Sequence, residues 1–298
     1  MTAAAPSATA PTATAPSAGA LAPRRDAPPG TGPIWVVRDT LAMARRNVTR
    51  IARAPDQVVF TLISPIMFTL LFRYVFGGAI AGLPLGFGYV TYLIPGIAVQ
   101  TAIFSAGTTG FALADDVQKG FIDRLKSLPM ARSAVLGGRV VSDSLNNLLQ
   151  VAIIIGVGFA VGFRPSSGLG VVLGVLLLLL FALSASFVFA LVGMSVSSVE
   201  AVNAATFPVV FPLTFASSAF VPTATMPGWL QAFANHQPVT IVVNAVRSLV
   251  LGDVSPAARE GLFQGASTTS LVLQSLAWSA GISAIFGFLA VRKYRNLG

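Results

Sequence analysis

Cysteine is absent from the 298 residues, and histidine occurs once, at His236. A disulfide framework, a thiolate metal site and a histidine metal cluster are therefore excluded. Charge is scarce too: Asp, Glu, Lys and Arg make up 10% of the chain, and only Lys119, Lys126 and Lys293 among the nineteen basic residues are lysines. None of the three closes a G-x-x-x-x-G-K-[ST] loop, whose amides and lysine hold nucleotide phosphates. No ATP hydrolysis is expected of this chain alone, and no catalytic residue, metal or cofactor is assigned to it. His236 has no nucleophile or acid beside it in sequence, and a lone histidine of this kind is structural.

What the chain has instead is apolar length. It is 54% hydrophobic with a mean hydropathy of +0.78, above the apolar share of soluble domains. Residues 1–33 stand apart: they are Ala, Thr, Pro and Ser in loose repetition, too poor in large apolar side chains to offset ordering entropy. They are expected to form a disordered cytoplasmic tail, since the basic and apolar regions of a cleavable signal are missing.

From residue 34 onwards the pattern predicts an all-α polytopic membrane protein. Six runs meet or approach the ~20 apolar residues that cross about 30 Å of hydrocarbon. They cover about 57–76, 88–113, 144–162, 168–196, 203–221 and 269–291. The fifth carries Pro208 and Pro212 and is the least regular, which a membrane helix tolerates when neighbours satisfy the freed carbonyls.

The net charge of +9 would suggest nucleic acid in a soluble protein, but its distribution suggests a membrane orientation. With both termini cytoplasmic, fifteen basic residues fall inside, against Arg164, Arg247 and Arg259 outside and Arg73 near an outer end. Before the first run, Ile34, Val37, Leu41, Ala44, Val48 and Ile51 fall on one helical face with arginines opposite. Such a basic amphipathic helix suits the inner leaflet, either as an anchor or as a contact for a partner.

The only sizeable cytoplasmic loop, about Ala114 to Asp143, holds much of the remaining charge. DDVQKGFIDRLKSL, Asp115 to Leu128, places Val117, Phe121, Leu125 and Leu128 along one face, with acids in the first turn as the helix dipole prefers. Pro129 stops it, and a new helix begins near Ala131 or Ser133 and carries Arg139 and Asp143 towards the bilayer. An apolar stripe on a cytoplasmic helix suggests docking, although a solvated hinge is the competing reading. No acid falls in the middle of a run, which argues against proton- or sodium-driven transport.

Two further stretches carry candidates. Met226 to Ala234 and Pro238 to Gly252 form two short apolar helices broken at Asn235 and Pro238, each too short to span, with Trp229 placed at an interface and Arg247 opposing a crossing. Polar residues recur inside runs two and five: Gln100, Thr101, Ser105, Thr108 and Thr109, then Asn203, Thr206, Thr214, Ser217 and Ser218. They are either glue between helices or the wall of a cavity. Such a cavity would be uncharged and rich in phenylalanine (Phe104, Phe111, Phe207, Phe211, Phe215), suited to a large amphipathic molecule, and its candidate path is Gln100, Thr101, Ser105, Thr109, Phe211, Thr214 and Ser218.

The stretches GFIDRLKSLPMARSAVLGGRVVSD and FPLTFASSAFVPTATMPGWLQAFANHQPVTIVVNAVRSLVLG, with six runs and the amphipathic segment, resemble the permease subunits of ABC-2 type exporters, especially the daunorubicin-resistance branch. The resemblance covers about Ile34 to Arg295. It implies that Asp115 to Leu128 is a coupling helix fitting a cleft on a separate ATP-binding subunit, which would carry ATP and magnesium. Phe121, Ile122 and Leu125 would supply apolar contact, with Asp115, Asp116, Lys119, Asp123, Arg124 and Lys126 around them. It also implies an extracellular re-entrant helix pair near an outer gate, where Trp229, Asn235, His236 and Arg247 fall, and a dimer of permeases. The function implied is export of an amphipathic drug-like compound. A lipid or polyketide-derived glycolipid is the alternative cargo, and a channel or secondary transporter the alternative class.

Overall fold

The computed structural model describes Thr49 and residues 55–80, 87–120 and 132–296. The expected tail at 1–33, nearly all of the amphipathic segment 34–53, and Phe121 to Leu128 lie outside them. Helix α1, Pro55–Leu71, continues through a π-helical turn, Phe72–Phe76, into Gly77–Ile80. The chain then forms α2 (Tyr89–Gln118), α3 (Arg132–Ala160), α4 (Gly168–Gly193) and α5 (Val199–Phe215). A short 3₁₀ turn at Thr223–Thr225 precedes α6 (Gly228–His236), α7 (Pro238–Leu251), α8 (Pro256–Phe263) and α9 (Thr268–Asn296). The described residues contain no strand.

Helix α2 is the axis of the bundle. Its Tyr89 to Ile103 stretch is buried on every face, and α3, α4, α5, α7 and α1 all pack against it. Close approach requires glycine at three places. A Cβ on Gly96 would overlap the carbonyl of Ala219, and one on Gly193 would overlap the backbone of Gly110, where α4 crosses α2. A third, at Gly170, would overlap Leu249 O on α7.

Four stretches of the described helices are long and apolar enough to cross a bilayer: Tyr89–Gln118, Asp143–Ala160, Gly168–Gly193, and the window Pro256–Tyr294 whose long helix is α9. The first and fifth expected runs appear as shorter apolar helices, and so does α7. Expected boundaries move in three places. The second run does not stop at residue 113; α2 carries on to Gln118, because nothing from Ala112 to Val117 breaks a helix. It ends at Gly120, whose φ of +61° is a conformation that glycine adopts without steric cost. Asp115 and Asp116 are thus near the C-terminal end of a long helix and not in the first turn of a new one.

The fifth run is a helix only from Val199 to Phe215, starting at Ser198, whose side chain accepts from Ala201 N at 3.0 Å. Seventeen residues at ~1.5 Å each reach about 25 Å, short of a bilayer's ~30 Å. Pro208 and Pro212 remove two backbone donors, and residues 216–222 leave the helix altogether. Lastly, Asp143, counted among the charges of the cytoplasmic segment and expected on the helix leading from it, is inside the bundle. Helix α3 begins at Arg132, as the sequence suggests, which carries Asp143 into the helix; it is buried there and accepts a hydrogen bond from Thr109 Oγ1 on α2.

The crossing glycines give a direct test. Gly193→Leu forces α4 away from α2 and should destabilise the bundle by about 1–3 kcal/mol, the usual cost of overpacking. A lowered melting temperature of the detergent-purified chain, followed by size-exclusion chromatography after heating, checks this, with the uncrowded Gly78→Leu as a control of unchanged stability.

Candidate functional site

At the end of α5 the chain unwinds inside the bundle, and the polar groups released there are met by side chains from α2 and α7. From the N-cap of α7 onwards, Gln237, Thr240, Asn244 and Arg247 follow each other at spacings of 3, 4 and 3 and form one polar stripe on a mostly apolar helix. That stripe faces the unwound segment. Gln237 Nε2 donates to Ala216 O at 2.6 Å, Thr240 Oγ1 accepts from Ser218 N at 3.2 Å, and Asn244 Oδ1 accepts from Ser218 Oγ at 2.7 Å.

Arg247 closes the stripe. It is completely buried, with Nη2 donating to Ser218 O at 2.9 Å and to Ala219 O at 3.5 Å. Nη1 donates to Asn244 Oδ1 at 3.1 Å and Nε to Tyr92 O at 3.1 Å. The guanidinium carbon stands 3.6 Å from the centre of the Tyr92 ring, so the cation is held by a π face and by carbonyl oxygens, with no carboxylate among these contacts. From α2, Tyr92 donates its hydroxyl to Ser218 O at 2.7 Å and Tyr89 donates to Phe220 O at 3.1 Å. Phe72 stacks on Phe220 at 4.4 Å and Phe215 packs against it, tilted, at 5.1 Å, which ties the π-helical turn after α1 and the end of α5 to the same segment.

The other outer-gate candidates are distributed differently. Asn235 and His236 end α6, directly before the elbow at Gln237; His236 is exposed, with Nδ1 2.8 Å from Ala232 O, and Trp229 is largely exposed. The expected pair of short helices is therefore present, and of its four singled-out residues only Arg247 reaches the buried clamp. Tyr89, Tyr92, Gln237, Thr240 and Asn244 were not singled out from the sequence. The 3-4-3 polar spacing on α7 was the available signal for three of them; the tyrosines carried none.

The path candidates lie mostly inside the packing. Gln100, Thr101, Ser105, Thr109, Thr214 and Ser218 are all buried. Ser105 Oγ accepts from Gln150 Nε2 of α3 at 3.2 Å, one step along the same α2–α3 seam as the Thr109–Asp143 bond. Thr214 Oγ1 turns back onto Val210 O at 2.7 Å. Phe211 differs: it is 42% exposed and stands in a stacked ladder, 5.2 Å from Phe207 and 4.3 Å from Phe215.

Of the coupling candidates, Asp115, Asp116 and Lys119 stand at the far end of α2. Lys119 Nζ meets Asp115 Oδ2 at 2.7 Å, and Gln118 Nε2 donates to Ser197 O at 2.7 Å, binding this end to the α4–α5 connection. Val117, first residue of the apolar stripe, packs into a small cluster of Leu113, Ala190, Met194, Ala290 and Tyr294, so it belongs to the bundle. Phe121, Ile122, Asp123, Arg124, Leu125 and Lys126 lie outside the described residues.

An all-helical bundle with several apolar helices long enough to cross a bilayer, among the described residues, is the architecture of a polytopic membrane protein. The ABC-2 type transporter family matches residues 38–251, and the chain belongs to that family. It is similar to the daunorubicin resistance ABC transporter permease protein DrrB1 of Streptomyces coeruleorubidus, 34% identical over 261 residues and 87% of each chain. The probable doxorubicin resistance ABC transporter permease protein DrrC of Mycobacterium tuberculosis is 27% identical over 269 residues, covering 87% of this chain and 89% of its own. The putative transport permease ycf38 of Porphyra purpurea is 24% identical over 214 residues, 71% and 74%.

Removing the clamp should be costly. Arg247→Met takes the side-chain donor from Ala219 O and a second donor from Tyr92 O, which keeps its helical bond, at about 1–3 kcal/mol for the carbonyl left unsatisfied. Arg247→Lys should recover only part of the loss, because an ammonium cannot reach several carbonyls in one plane. Tyr92→Phe, which takes away one hydroxyl, should cost about 1 kcal/mol. Thermal melts of the three variants in one lipid mixture check the order.

Proposed function

We propose that this chain is the membrane subunit of an ATP-driven exporter that moves an amphipathic, drug-like compound out of the cell. The observation that carries the reading is the family match across 38–251, which takes in every described helix from α1 to α7, together with relatives named for daunorubicin and doxorubicin resistance. The energy comes from a separate ATP-binding subunit holding ATP and magnesium, since the sequence contains no phosphate-binding loop. Both termini are cytoplasmic, two permease copies form the working unit, and the segment from Asp115 to Leu128 couples it to the ATPase.

The architecture supports this reading in two ways. The charged end of α2 is anchored to the α4–α5 connection through Gln118, so a force applied there reaches α5 as well as α2. Helix α5 also presents the Phe207, Phe211 and Phe215 ladder, an aromatic and uncharged surface of the kind that stacks on a flat amphipathic molecule.

Co-purification of this chain with its ATP-binding subunit, followed by ATPase assays in lipid with and without daunorubicin, tests the proposal. Stimulation by the compound is the expected outcome; failure of the two chains to co-purify would overturn the coupling. Phe121→Asp together with Leu125→Asp should abolish compound-stimulated hydrolysis and transport while leaving membrane insertion intact, and undiminished transport by this variant would remove the docking role.

A further inference from the structure

Helix α5 has two different sides. At ~100° per residue, Phe207, Phe211 and Phe215 lie on one, while Thr206, Val209, Val210 and Leu213 lie almost opposite. That second side borders a half-open cavity of about 200 Å³ enclosed by α2, α4, α9 and the start of α7. Ile103, Phe181, Phe189 and Ile282 contribute to its wall, and Pro238 and Val239, just past the elbow, close one end. None of the path candidates belongs to the wall.

The wall selects its ligand by what it cannot hold. It contains no charged residue, and its one polar side chain is Thr206, whose Oγ1 is buried without a hydrogen-bond partner. A headgroup or a hydrated ion would find no compensation there. Apolar cavities of about 150 Å³ stay dry and take up hydrocarbon-sized ligands, so this one has room for a stretch of chain. Its mouth lies by Val209, which is 63% exposed, and α5 and α9 are not closely packed against each other on that side. In a bilayer the medium at such a mouth is acyl chain.

We infer that this cavity is a lipid site that takes one acyl chain of a bilayer phospholipid, inserted beside Val209 and reaching towards the elbow of the α6–α7 pair. The site lies across α5 from the aromatic ladder, so it is separate from the surface proposed for the exported compound and does not depend on that reading. An occupying chain braces α5 against α2 and α4 beneath the segment that Arg247 clamps.

The full chain, in nanodiscs containing phosphatidylglycerol with a diazirine midway along one acyl chain, is irradiated and digested, and the labelled peptides are located by mass spectrometry. The expected result is preferential label on Phe181–Val192 and Ala205–Leu213, lost in Val209→Trp, which blocks the mouth at an exposed position the fold tolerates. Label near Phe288, which is 66% exposed on α9, should be equal in both proteins and reports ordinary lipid contact. Equal labelling of the cavity peptides in wild type and Val209→Trp would overturn the site. So would a disulfide-linked dimer of Val209→Cys, the only thiol in that variant, because it would show a second copy covering the mouth. Neither readout involves transport or ATP.

Discussion

An unwound backbone buried among apolar helices must find a partner for every carbonyl it exposes, and this constraint organises the bundle around the end of α5. Pro208 and Pro212 leave α5 too short to span, and after Ala216, whose N–H still reaches Pro212 O, the chain leaves the helix. Four side chains from two other helices supply donors to its oxygens: Gln237 and Arg247 from the start and body of α7, Tyr89 and Tyr92 from α2. The arrangement solves two problems together. A buried guanidinium with no carboxylate in contact needs oxygens, and an unwound segment needs donors. Arginine suits the task better than lysine because its planar fork presents five N–H groups in fixed directions, and its flat face stacks on Tyr92.

This clamp also accounts for why α2 is packed on all sides where it meets the segment. Gly96 must lack a side chain for Ala219 to come against the helix, and the two tyrosines then fall within reach of the carbonyls. One unbroken helix of thirty residues, about 45 Å long, thus joins the clamp at Tyr89 and Tyr92 to the charged end at Asp115 and Lys119. Between them a seam of Ser105–Gln150 and Thr109–Asp143 bonds holds α3 alongside. The parts of the chain proposed to bind an ATPase and to form an outer gate are two ends of one rod, and α5, tied at Ser198 to the lower connection and at Ala216 to the elbow, runs beside it.

Several features were legible in the chain because they are local. Apolar runs longer than fifteen residues announce buried or membrane helices whatever their neighbours are, and Asn235 and Pro238 announce a break between two short ones. The helix restarting near residue 132 was equally plain after Pro129. Run five was the least regular of the six for a stated reason, its two prolines, and the structure shows their effect as an early end at Phe215. The end of α2 was placed too early because the charges at Asp115 and Asp116 looked like a boundary, whereas the chain has no stereochemical reason to leave the helix before Gly120.

Sequence alone determined that this is a membrane chain of the ABC-2 type, without a nucleotide-binding loop, and roughly where its helices lie; those properties follow from composition, short periodicities and contiguous motifs. Only the tertiary structure decided which polar residues serve one another. Arg247 and the Tyr92 carbonyl are 155 residues apart, and Tyr92 and Ser218 are 126 apart. Arg247 looked like an obstacle to membrane entry, and Asp143 was counted with the charges of the cytoplasmic segment, because each was judged by its own surroundings. Their burial is tolerated through partners on other helices, and no periodicity along one helix records a partner on another.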